Sequence, residues 1–144
     1  MIEFYYNFQS HSGLLNASHA LFEWGSLFRN AAEQLNRCPR VGSMTNSKVM
    51  MESARLESIH YRNCSIPIGG WSRDAKEREI GIENVRNIER MLDSLGTWPF
   101  CHVLNMKLED VIALCSRAKR ELRDNNLKLY LPMTLCYGQR PLSG

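Results

Sequence analysis

The stretch Leu127-Lys-Leu-Tyr-Leu-Pro-Met-Thr-Leu-Cys-Tyr137, near the end of the chain, constrains the fold more than any other. It is the longest β-rich run, and it is apolar on both faces. Leu127, Leu129, Leu131, Met133, Leu135 and Tyr137 alternate with Tyr130, Pro132, Thr134 and Cys136. A strand with two apolar faces belongs between layers, inside a sheet covered by helices on both sides. Pro132 lacks a ladder donor, so it requires a bulge or a place where no neighbour needs that N–H.

The rest of the chain supplies few strands to surround it. Residues 2–8 read as a strand, with Ile2, Phe4, Tyr6 and Phe8 alternating against Glu3, Tyr5 and Asn7. After a polar loop, Asn16 or Ser18 is expected to cap a helix reaching about Asn36, with Leu21, Trp24, Phe28, Ala31 and Leu35 on one face. Cys38-Pro39 and Gly42 would end it. A short helix over about 45–54 precedes a second strand over 56–66, closed by Pro67-Ile-Gly-Gly70. Asp74 and Glu77 form a capping box for a helix of about 74–95 that Gly96 would stop. Its stripe is Gly81, Val85, Ile88, Leu92 and Leu95. A turn or short helix over 97–105 leads to a helix over 107–124 presenting Leu108, Val111, Ile112, Cys115, Ala118 and Leu122. The order β-α-α-β-α-(α)-α-β is α/β, within a single domain.

Composition excludes several classes of function. The net charge of +3 is too small, and the basic residues too scattered, for a nucleic-acid partner. The cluster Arg117, Lys119, Arg120 and Arg123 falls at a helix C-terminus, where cations offset the dipole. No apolar run is long enough to cross a bilayer, and Met-Ile-Glu-Phe-Tyr-Tyr does not read as a signal peptide. Five cysteines without a C-x-x-C fit reduced thiols in the cytoplasm or nucleus better than disulfides or a zinc site.

The search for chemistry yields single residues and no constellation. Gly69-Gly70 lacks the spacing of a phosphate-binding loop and reads as a strand-to-helix turn. His60, alternating with Ile59 and Tyr61 on the second strand, and Trp71, just past the glycine turn, are the catalytic candidates. Trp24, Trp71 and Trp98 are candidates for an aromatic substrate pocket, against a default of aromatic core. His11 and His19 read as loop residues, and adjacent Cys101-His102 cannot form a dyad on one helical face. No metal ligand set is present.

One block carries a resemblance. Pro67-Ile-Gly-Gly-Trp71-Ser-Arg-Asp74-Ala-Lys-Glu-Arg-Glu79-Ile-Gly81-Ile-Glu-Asn84 resembles a marker segment of fungal secondary-metabolism methyltransferases of the LaeA-like group, class I enzymes that use S-adenosylmethionine. Ile2-Glu3-Phe4 resembles the family's fifth strand and Leu21 to Leu35 the following helix. Met50-Met51-Glu-Ser-Ala54 resembles the helix before the sixth strand, and Tyr130 to Pro141 the seventh strand. The resemblance implies the C-terminal half of a Rossmann-like fold: about three strands in the order first-last-middle, the last antiparallel to both, with four or five helices. The family's glycine-rich loop and ribose-binding acid would lie before Met1, so no cofactor-binding residue is carried over. Arg55 stands where the family has a helix-ending glycine, Ser72 where a proline is common, and Tyr5 where glutamine is usual.

The same resemblance leaves the strand edge at Ile2, Phe4, Tyr6 and Phe8 open to another protein or a second copy. Three functions follow as expectations. One is a truncated methyltransferase-like protein of fungal secondary metabolism, a shortened gene product or a piece of a longer enzyme, that neither binds S-adenosylmethionine nor transfers methyl alone. Another is a non-catalytic partner of a full-length methyltransferase. The third is a cofactor-free cyclase or pericyclase-type enzyme acting on a natural product in the former substrate pocket.

Overall fold

The computed structural model describes residues 2–4, 6–37 and 44–141, with backbone alone at 2–4 and 44–47. The expected helix stop at Cys38-Pro39 and Gly42, and the substitution at Tyr5, lie outside the described residues. In order the elements are β1 (Ile2–Phe4), β2 (Gln9–Ser10), α1 (Ala20–Gln34), α2 (Met44–Ser53), β3 (Glu57–Pro67), α3 (Ala75–His102), α4 (Leu108–Glu121), a 3₁₀ turn (Asn125–Leu127) and β4 (Leu129–Gln139).

β4 is the centre of the sheet. β3 pairs antiparallel along one side, from Glu57↔Gln139 to Pro67↔Tyr130. β1 and β2 pair antiparallel along the other, at Ile2↔Leu135 to Phe4↔Met133 and at Gln9↔Tyr130 and Ser10↔Leu129. The first-last-middle order is therefore the one found, in a mixed α/β partial Rossmann-like arrangement. The first strand differs from expectation by being split. Pro132 accounts for the break, since it stands opposite the gap between β1 and β2, where no pairing occurs among the described residues.

That break redirects the residues assigned to an open edge. Phe8 leaves the sheet and is buried against Trp24, with ring centroids 6.2 Å apart. Tyr6 is half-buried, edge-on to Phe28 at 5.7 Å. The side chains of Ile2 and Phe4 lie outside what the structure describes. The outer edge of β1, which pairs with no strand among the described residues, is thus a backbone feature, and Phe8 belongs to the core.

α1, α3 and α4 pack on one another and on the Leu129–Leu131 face of β4. Trp24 is fully buried at their junction, stacked on Phe28 at 5.1 Å and edge-on to Phe100 at 5.6 Å. Gly96 makes that junction possible: a Cβ there would come 2.7 Å from the Trp24 indole nitrogen. α3 consequently runs through Gly96 and Pro99 to His102, past the stop expected at Gly96. Glycine at this position is a spacer between helices. Val111, Leu114, Cys115 and Ala118 form the buried stripe of α4, whereas Leu108 and Ile112, expected in it, are exposed.

α2 lies against β3 and β4 on the opposite face, where Cys136 and Thr134 are buried. The Tyr61 hydroxyl is buried there with no hydrogen-bond partner among the described residues. Burial pushes its pKa up, and the Cys136 thiol and Glu52 carboxylate add to the effect. β4 is therefore covered on both sides but over different segments. The expected cation cluster proves to be a set of ties between helices: Arg117 pairs with Glu23 of α1, while Lys119 and Arg123 pair with Asp93 and Glu89 of α3.

Candidate functional site at the carboxyl end of the sheet

In open α/β sheets, ligands bind beyond the carboxyl ends of the strands. Here β2 ends at Ser10, β3 ends at Pro67 and antiparallel β4 begins at Leu129, all at one end. Gln9, Tyr130 and Pro67 stand in one row across the three strands. His11 continues the ladder, its N–H donating to the Lys128 carbonyl at 3.1 Å. The Ser10 and Ser12 hydroxyls both donate to the Leu127 carbonyl, at 2.6 and 2.9 Å. These contacts fix the His11 backbone.

The result is an aromatic cluster. The His11 ring stacks on Tyr130 at 4.3 Å and 24°, and its other neighbour is Trp71 at 5.3 Å and 60°. The Tyr130 hydroxyl donates to Gln9 Oε1 at 2.6 Å, and Trp71 Nε1 donates to the Leu129 carbonyl at 2.8 Å. Both polar tips are thereby occupied, leaving ring faces and the exposed His11 imidazole to meet a ligand. Such a surface can hold a flat apolar molecule and exchange one hydrogen bond or proton with it.

The segment that places Trp71 is built for that purpose. Gly69 has φ +91°, and its N–H donates to the Gly81 carbonyl at 2.9 Å. A Cβ on Gly81 would run into the Gly69 carbonyl oxygen, so only glycine lets α3 come this close to the turn. Asn84 Nδ2 donates to the Pro67 carbonyl at 3.0 Å. Asp74 accepts from the Glu77 N–H as expected of a capping residue. The return arm of the box runs through the buried Ser72 hydroxyl, which accepts from the Asp74 N–H and donates to the Glu77 carboxylate at 2.7 Å. Arg78 donates to the carbonyls of Ser72 and Arg73. Much of the block's polar side-chain capacity is spent on joining β3 to α3.

The other residues singled out from the sequence are dispersed. His60 lies seven residues before the end of β3, roughly 23 Å along the strand, and stacks on the exposed Tyr137 at 5.1 Å. Trp24 is core. Trp98 is 57% exposed on the last turns of α3. Only Trp71 belongs to the carboxyl-end cluster. His11 and Tyr130 were missed as site residues because one lies in a polar loop and the other in an apolar strand. The strand order was the available signal, since it brings the end of the first strand beside the start of the last. Among the described residues, no group of three or more His, Cys, Asp or Glu could hold a metal ion. None of the described helices is long and apolar enough to cross a membrane.

Comparison with known proteins agrees with the resemblance carried by residues 67–84. The chain is 25% identical over 132 residues to the probable methyltransferase tdiE of Emericella nidulans, covering 92% of this chain and 41% of that protein. It is 30% identical over 105 residues to the secondary metabolism regulator laeA of Fusarium oxysporum f. sp. lycopersici, covering 73% and 33%. The secondary metabolism regulator LAE1 of Hypocrea atroviridis is 27% identical over 124 residues, covering 86% and 35%. No protein-family profile matches the chain. No solved structure matches it. The chain is thus related, over most of its length, to fungal methyltransferase-like proteins of secondary metabolism. It spans a third to two-fifths of the length of those relatives.

Proposed function

We propose that this chain is the substrate side of a methyltransferase-like assembly in fungal secondary metabolism, and that it does not bind S-adenosylmethionine or transfer methyl by itself. The observation that carries the reading is the cluster of His11, Trp71 and Tyr130 at the shared carboxyl end of β2 and β3. Ring faces at that end suit a natural-product substrate. A nucleoside cofactor has different needs: amides in a glycine-rich turn for its charged tail and a carboxylate for its ribose. The glycine turn at Gly69 spends its N–H on Gly81, and no G-x-G-x-x-G follows a strand anywhere in the sequence. The residues present do not fit the cofactor.

In this reading the sheet is continued by another polypeptide along β1, whose one backbone edge pairs with β4 while the other takes no strand among the described residues. Unpaired N–H and C=O groups on such an edge are a template for an added strand. The native mass of the protein isolated from its own cells, set against the mass of its denatured chain, is the test. We expect a defined native species heavier than one denatured chain. A stable monomer of that mass would contradict the assembly.

A further inference from the structure

A second concave site lies away from the carboxyl end. The last turns of α3 and the approach to α4 enclose a groove of about 590 Å³ lined by Trp98, Cys101, His102, Met106 and Leu108, with Asp93, Ser94 and Thr97 along one wall. Its volume is in the range of about 300–1,000 Å³ that small-molecule sites occupy. From Gly81, which touches the glycine turn, to Trp98 is roughly 25 Å along α3, so this groove is separate from the His11 cluster.

The chemistry of the walls is one-sided. Trp98 stands largely clear of the protein, with the His102 ring 5.6 Å away at 35°, and Met106 and Leu108 extend the apolar floor. The polar wall consists of acceptors. The Thr97 hydroxyl donates to the Asp93 carbonyl at 2.6 Å, so its proton is spent on the helix and its oxygen is left to accept, while the Ser94 hydroxyl makes only a long contact of 3.4 Å to the Met91 carbonyl and its oxygen is also open. The Asp93 carboxylate takes Lys119 on Oδ2, and no partner holds its other oxygen among the described residues. Asp93 and Thr97, and likewise Ser94 and Trp98, are four residues apart on the helix, so acceptors and ring share a face.

We propose that this groove binds a small aromatic amine, its ring laid on Trp98 and its N–H donors at Asp93, Ser94 and Thr97. Two aromatic rings stacked in this way gain beyond the area they bury. The site is independent of the reading of the His11 cluster.

Cys101, half-buried in the groove, reports occupancy directly, and Cys64, half-buried on β3, serves as the internal control. The full chain is alkylated with N-ethylmaleimide with and without tryptamine, and each cysteine is followed by peptide mass spectrometry. Tryptamine should slow modification of Cys101 and leave Cys64 unchanged, and indole-3-acetate should protect more weakly. Trp98→Ala, at an exposed position that leaves the core intact, should weaken tryptamine protection on the order of tenfold. Three results would each overturn the proposal. These are equal slowing of both cysteines, equal protection by the acid, and undiminished protection in the Trp98 variant. The proposal falls equally if tryptamine gives no protection while Trp98→Ala lowers the mass of an oligomer, since the groove would then be a protein interface.

Discussion

Arg55 closes α2 with φ 55°, in the left-handed region that L side chains enter at a cost. The Leu56 N–H donates back to the Met51 carbonyl and the Arg55 N–H to the Glu52 carbonyl, so the backbone needs this turn whatever residue stands there. Arg55→Gly should therefore stabilise the chain by about 1 kcal/mol in urea unfolding, because glycine enters this conformation without the Cβ clash. Unchanged or lower stability would mean that the Arg55 side chain contributes something the backbone does not show. The resemblance made this strain legible, since it implied a helix-ending glycine where Arg55 stands. Gly96 misled in the opposite direction. Read along the chain it is a helix stop, but it is a packing position whose cause, Trp24, lies on another helix. Gly96→Ala should cost about 1–3 kcal/mol by forcing the Trp24 ring out of place, despite alanine's better helix propensity. Thermal unfolding measures it, and a stabilised variant would contradict the spacer role.

At the level of elements, α1 depends on α4 for its start. Its N-cap residue His19 makes no side-chain capping bond, and Asn16 and Ser18 bond to each other just upstream. The first two amides of the helix, at Ala20 and Leu21, donate instead to the two carboxylate oxygens of Glu121, at 2.7 and 2.8 Å. An anion at a helix N-terminus is favoured by the dipole and by charge-assisted hydrogen bonds. Glu121→Gln keeps the shape but removes the charge and one acceptor, and should destabilise the fold by about 1–2 kcal/mol in denaturant unfolding. A neutral result would show α1 to be held by its apolar face alone. Local capping rules pointed to Asn16 or Ser18 because they see only neighbours in sequence. The acceptor here is about 100 residues away. The Asp74–Glu77 box, being local, was legible in full. The strand order was legible as well, because the two apolar faces of β4 demanded a central place. The division of the first strand was not, since it follows from Pro132 acting across the sheet.

On the scale of the whole molecule, β4 is a finished centre with two unequal flanks. β3 pairs along nearly its full length, while β1 and β2 touch it in two short pieces. Three helices cover one end of one face, and α2 covers the other end of the opposite face. Around this frame the glycines and polar residues of the 67–84 block, which carried recognition from sequence, act mainly as a structural joint. They hold Trp71 where the strands end. The block therefore revealed kinship more readily than chemistry. His11 and Tyr130 contribute the rest of the candidate site from segments that share no motif with it. We propose that this chain carries the substrate side of a methyltransferase-like sheet without a cofactor site of its own. The decisive measurement is calorimetric titration of the purified chain with S-adenosylmethionine, to roughly 1 mM, the upper end of usual enzyme–substrate affinities. No saturable heat is expected. One-to-one binding in the micromolar range would contradict it.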